Sequence, residues 1–112
     1  MGRISTHILD TSIGKPAEGV KIFLEECIGI DWDKIGEGTT NSDGRINNLI
    51  SDEAEVKEGT YRITFEIDNY FKSQKRESFY PSVNIIFKAK AGEHYHVPLL
   101  INPFGYSTYR GS

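Results

Sequence analysis

The residues of this 112-residue chain best equipped for chemistry are three histidines and an arginine that follows a tight-turn signal. His94 and His96 stand two apart in HYHVPLLI, and His7 lies in ISTHILD. An imidazole titrates near neutral pH, so it can take or give a proton there, and its neutral form also ligates metals. Arg45 follows Asp43-Gly44 in TNSDGR. Asp-Gly is a strong hairpin signal, because glycine accepts the positive φ of a tight turn, and it puts Arg45 at the base of the outgoing strand. The guanidinium presents a planar fork of donors suited to carboxylate or carbonyl oxygens. Residues 94–112, HYHVPLLINPFGYSTYRGS, join two of the histidines to tyrosines, an arginine and a final serine.

The elements that must position these groups follow from period-two alternation. In the first stretch Ile4, Thr6 and Ile8 take one face, and Ser5, His7 and Leu9 the other. In HYHVPLLI, Tyr95, Val97, Leu99 and Ile101 form the core face, while His94, His96, Pro98 and Leu100 point away from it. All three imidazoles therefore share the outward side with Leu9, Pro98 and Leu100. An apolar patch on a small domain marks a contact surface, and two copies of such a face meeting about a symmetry axis enclose a cleft. Metal ligation is the competing reading. His94 and His96 would stand about 7 Å apart on one face, with His7 as a third nitrogen. Only Glu93 accompanies them, on the opposite face, so no metal is expected.

Other candidates fall away. Asp31 and Asp33 in DWDKIGEG suggest a calcium loop, but Ile35 occupies the next oxygen-ligand position. That stretch reads as a solvated loop with Trp32 partly packed. Cys27 has no helix start or basic neighbour to activate it and is assigned to packing. Walker, dinucleotide and nucleophile-elbow motifs are absent from the sequence.

The remaining chain reads as strand. Thr60–Ile67 (TYRITFEI) alternates strictly, and Val20–Leu24 and Val83–Ala89 show the same period, punctuated by Gly, Pro and Asn-Asp turns. Asp68–Glu77 lacks alternation and is expected to form a short surface helix with Asp68 as its N-cap. With 38% hydrophobic residues, the chain is expected to form one domain over residues 1–112 with a real core. A formal charge of −3 with scattered Lys and Arg argues against nucleic-acid and anionic-membrane partners. A single cysteine and the absence of an apolar leader point to a reducing cytoplasm.

HILDTSIGKPAEGV, TNSDGR, GTYRITFEIDNYF, FYP and the final HYHVPLLINPFGYSTYRGS together resemble the transthyretin-related 5-hydroxyisourate hydrolases over essentially the whole length. The hormone-carrying transthyretins look similar in fold but do not end in YRGS or carry histidines at positions 7 and 96. The resemblance implies an all-β, transthyretin-like (prealbumin-like) antiparallel β-sandwich of two four-stranded sheets with one short surface helix. It further implies a homotetramer, a dimer of dimers with its sites at the dimer–dimer interface, acting without a cofactor on 5-hydroxyisourate. The family's site residues map onto His7, Arg45, His96, Tyr109 and Ser112. On that mapping a histidine activates water and Arg45 binds the urate-like ring and steadies the oxyanion. Tyr109 stacks on or hydrogen-bonds to the ring, and Ser112 offers a hydroxyl and the chain's carboxylate. A transthyretin-like carrier without catalysis is the alternative.

Overall fold

In the computed structural model, residues 2–51 and 54–111 are described. Ser112 lies outside them. Alternation is realised most cleanly in β1 (Ile4–Asp10), whose even-numbered residues are buried while the odd-numbered ones are half-buried. Its partners are the two-residue strands β2 (Lys15–Pro16) and β5 (Arg45–Ile46), both antiparallel along one edge. On the other edge β1 pairs in parallel with β8 (Tyr95–Asn102), which continues antiparallel into β9 (Gly105–Thr108). The second sheet runs β4 (Asp31–Thr39), β3 (Lys21–Ile28), β6 (Gly59–Phe65) and β7 (Val83–Ala89), antiparallel throughout. The expected sandwich is therefore present, with two refinements. One pair of strands is parallel, and the first sheet gains a fifth short strand.

Ile4, Ile8, Leu99 and Ile101 from the first sheet and Ile22, Leu24, Ile63 and Phe65 from the second are fully buried, and they form the centre of the core between the sheets. DWDKIGEG is not a loop: it is most of β4. Its polar side chains hide the strand from a hydrophobic-period reading, and pairing with β3 supplies what burial does not. The Arg62 guanidinium sits 4.3 Å from the Trp32 ring centre across the sheet, a cation–π contact. Gly36 lets β4 pass close to the Leu49–Ile50 segment, where a Cβ would stand 1.7 Å from the Leu49 carbonyl oxygen.

The helix α1 spans Ile67–Ser73, so Ile67 belongs to it rather than to the preceding strand. Glu66 occupies the N-cap position without a side-chain cap bond. Asp68 sits in the first turn, paired with Lys72 at 3.1 Å and accepting from the Ser78 hydroxyl at 3.0 Å. The segment leaves the helix at Lys75, whose φ of 58° ends it. Ile67, Tyr70 and Phe71 anchor its inner face. Among the described residues no helix is long and apolar enough to cross a membrane.

A buried carboxylate ties this helix to the end of β1. Asp10, fully buried, accepts from Tyr70 Oη at 2.9 Å, Arg76 Nη2 at 2.5 Å and both the hydroxyl and the backbone N–H of Ser12. Burial alone would raise its pKa. The hydrogen bonds from Ser12, Arg76 and Tyr70, together with the Arg76 charge, outweigh that effect and hold it below 3.8. Because the folded value is depressed, the carboxylate's contribution is present above the ordinary value and is lost as pH falls through the folded one. Asp10→Asn should lower unfolding free energy by about 3 kcal/mol at pH 7, since it leaves the Arg76 charge without its partner. In urea titrations that difference should shrink below pH 3.8. An unchanged midpoint at pH 7 would show that the cluster does not hold the helix.

Candidate active site

Register brings the chemistry together. The parallel ladder sets Ser5 opposite His96 and His7 opposite Pro98, while the short β5 sets Arg45 opposite His7. A buried bond from Thr6 Oγ1 to the Val97 carbonyl, 2.6 Å long, fixes β1 against β8 between these pairs. Three strands thus carry His7, Arg45 and His96 onto one outer face.

Arg45 owes its place to the turn before it. Gly44 has φ 73°, and a Cβ there would stand 2.5 Å from the Ile8 carbonyl, so the turn needs glycine on both conformational and steric grounds. The Gly44 carbonyl accepts from the Ile8 N–H at 2.8 Å, and the Asn41 side chain accepts from the Asp43 and Arg45 N–H groups at 2.9 and 3.0 Å. The tight turn and the strand start at Arg45 are as the sequence leads one to expect, but the turn closes no hairpin, since β4 before it pairs with β3 in the second sheet and β5 after it pairs with β1.

The chain's last described residues run beside β8 past the end of β9, where Gly111 pairs with His96. Gly111 donates its N–H to the His96 carbonyl at 2.8 Å, and the Arg110 guanidinium lies 4.6 Å from the Tyr95 ring centre. No side chain fits at Gly111: a Cβ would meet His96 Cδ2 at 2.6 Å and Pro98 Cγ at 3.1 Å. The result is a groove of about 340 Å³ lined by His7, Arg45, His96, Leu100, Tyr109 and Gly111. Arg45, His96 and Gly111 also border an adjoining groove of about 480 Å³ that reaches Arg3, Asn47 and His94.

Four of the five residues singled out in the sequence therefore share one groove, and the fifth, Ser112, falls outside the described residues. His94 does not join them. It is exposed ahead of β8, lines only the adjoining groove, and leaves Glu93 to pair with Arg110 at 3.8 Å. Among the described residues no three of His, Cys, Asp and Glu converge as a metal site would require. Pro98 proves buried beside Gly111, whereas Leu9 and Leu100 stay half-exposed beside the imidazoles.

Both imidazoles are biased toward the neutral form. Burial lowers the pKa of His7 below 6.5 and the Arg45 charge adds to it, against a smaller upward pull from the Asp43 backbone and carboxylate. His96 is lowered by burial first, then by Arg45 and His7. At pH 7 the groove thus offers two neutral imidazoles beside one permanent cation. Such a set can remove a proton from water and stabilise negative charge on an oxygen, which are the requirements of amide hydrolysis. Sequence reasoning missed Ser5, whose hydroxyl lies 2.8 Å from His96 Nδ1. Its one signal was the outward face shared with His7.

Residues 4–111 match the family described as HIUase/Transthyretin. The 5-hydroxyisourate hydrolase of Salmonella dublin is 46% identical over 110 residues, which cover 97% of this chain and 80% of that one. The solved 5-hydroxyisourate hydrolase of Klebsiella pneumoniae superposes with a TM-score of 0.86 at 41% identity, covering 98% of this chain and 99% of the other. Sparus aurata transthyretin superposes with a TM-score of 0.90 at 29% identity, covering 97% and 96%. By sequence and by fold, the chain belongs to the HIUase/transthyretin family.

Proposed function

We propose that the groove is the active site of a 5-hydroxyisourate hydrolase. The observation that supports this most strongly is the convergence of His7, Arg45 and His96 on one groove with both imidazoles held toward neutrality. In the reaction, water attacks the ring amide carbonyl as an imidazole takes its proton. The guanidinium of Arg45 faces the oxygen on which charge develops. The C–N bond then breaks, the ring nitrogen leaves with a proton, and the carbonyl carbon becomes the carboxylate of 2-oxo-4-hydroxy-4-carboxy-5-ureidoimidazoline. Tyr109 offers a ring against which a planar heterocycle can stack, and Ser112, which lies outside the described residues, is proposed as a further site residue from the family resemblance alone. No cofactor or metal enters this scheme.

A carrier function is the second reading. It is favoured by the fold's likeness to a sea bream transthyretin solved in complex with thyroxine, at a TM-score of 0.89. The two imidazoles beside Arg45 favour catalysis, because a carrier needs no proton acceptor. We further infer one transthyretin-like domain over residues 1–112, a cytoplasmic setting consistent with the single free Cys27, and a tetramer with its sites at the dimer–dimer interface. Half-exposed Leu9 and Leu100 beside an open groove support the last point.

Freshly generated 5-hydroxyisourate should lose its near-ultraviolet absorbance faster with micromolar protein than without, and His7→Asn or His96→Asn should reduce kcat/KM by about 10²–10⁴-fold. An unchanged decay with wild-type protein would leave the carrier reading. Because burial and the Arg45 charge push both histidines below 6.5, the rate should hold through pH 7 and fall on the acid side of 6.5. A rate that never falls on the acid side of 6.5 while the protein stays folded would contradict a histidine base. Sedimentation velocity should give a tetramer, and a fully active monomer would refute the shared interface.

A further inference from the structure

Ser5 and His96 face each other directly across the parallel β1–β8 pair, and their side chains meet, Oγ to Nδ1, at 2.8 Å. That is the ordinary length of a hydrogen bond with a hydroxyl donor. The contact is built into the backbone register rather than reached by a flexible side chain, and the neighbouring Thr6 to Val97 bond locks that register. The opposite edge of the imidazole, at Cδ2, is closed by the Gly111 backbone. The ring is thus held on both edges, with Nε2 at its far end.

We propose that Ser5 is a positioning residue that holds His96 as the Nε2–H tautomer. His96 then serves as a hydrogen-bond donor to the substrate carbonyl, and removal of the water proton falls to His7. This inference rests on the hydrolase reading of the groove. Among the described residues the Ser5 hydroxyl has one hydrogen-bond partner, Nδ1 of His96. A hydroxyl proton directed there requires a lone pair on Nδ1, and a neutral imidazole with a lone pair on Nδ1 carries its proton on Nε2. Arg45 and His7, the charged and titratable neighbours of the ring, both favour the neutral form in which that choice matters.

His7 stands otherwise: the ladder sets it opposite Pro98 in β8 and Arg45 in β5, so no hydroxyl faces it across the strands. With His96 committed to donating, His7 is the other imidazole lining the groove, and the water proton falls to it. Arg45, placed by the turn at Gly44, sets the charge beside both rings.

Long-range proton–nitrogen NMR correlations on protein labelled with ¹⁵N-histidine, recorded without substrate near pH 8, test the tautomer directly. His96 should show a hydrogen-bonded, unprotonated Nδ1 and a protonated Nε2. Ser5→Ala should shift Nδ1 toward the protonated value, and Ser5→Thr, which keeps the hydroxyl, should restore it. In turnover, Ser5→Ala should lower kcat by about 10–100-fold with KM changed less than about twofold, the range expected when a catalytic group is misplaced rather than removed. His96→Gln, whose side-chain amide can donate in place of Nε2–H, should retain the acid limb of the pH profile at reduced rate, whereas His7→Gln should lose it. Protonated Nδ1 in the wild type, or nitrogen shifts unmoved by Ser5→Ala, would overturn the proposal. Absence of 5-hydroxyisourate turnover by the wild type would instead overturn the hydrolase reading, while the NMR result would still decide the role of Ser5.

Discussion

Seven consecutive residue pairs, from Ile4 opposite Tyr95 to Asp10 opposite Ile101, join β1 to β8 in parallel, and the site depends on their register. In strands, alternate residues share a face, so fixing one pair fixes which side chains meet above the sheet. A one-residue slip would turn His7 or His96 into the core and bring a neighbour such as Ile8 or Val97 out in its place. The register is defended from below by the fully buried Ile4, Ile8, Leu99 and Ile101 and from within by the Thr6 to Val97 bond. At the far end of β1, Asp10 ties the strand to the helix through Tyr70 and Arg76. Core packing and site geometry are here consequences of one constraint.

Arg45 links the electrostatics to that frame. A permanent cation beside two imidazoles discourages either from becoming charged, which keeps them available for proton transfer at neutral pH. The same cation lines the groove with both imidazoles, where it could stabilise negative charge on an oxygen. Its position depends on a turn in which Gly44 alone can approach the Ile8 carbonyl, so a backbone requirement in a short loop sets the charge state of residues on two neighbouring strands. Likeness to both a solved hydrolase and a transthyretin solved with thyroxine fits this picture, since the sandwich is common to both and the imidazole–guanidinium set is local to one face.

Much of this was legible in the sequence, for identifiable reasons. Alternation in ISTHILD and HYHVPLLI sorts core from outer face at every described position but Pro98, which points outward by alternation and is nonetheless buried. Asp43-Gly44 marks the turn ahead of Arg45, because positive φ has a residue signature. DWDKIGEG stayed hidden as an edge strand held by cross-sheet pairing and a cation–π contact instead of by burial, so it carries no hydrophobic period. The helix was foreseen but displaced, since its start is set by burial of Ile67 and not by a capping side chain. Ser5 was out of reach: its partner lies 91 residues away, and local patterns do not encode which strands lie side by side or in which direction.

The most direct test of the site is a crystal structure of the protein with an unreactive, planar, urate-like heterocycle bound. That ring should lie in the groove with oxygens facing Arg45 and His96, its reacting carbonyl within reach of a water held by His7, and Tyr109 against its plane. A ligand seated away from His7, Arg45 and His96, for example only in the adjoining groove beside Arg3 and His94, would contradict it.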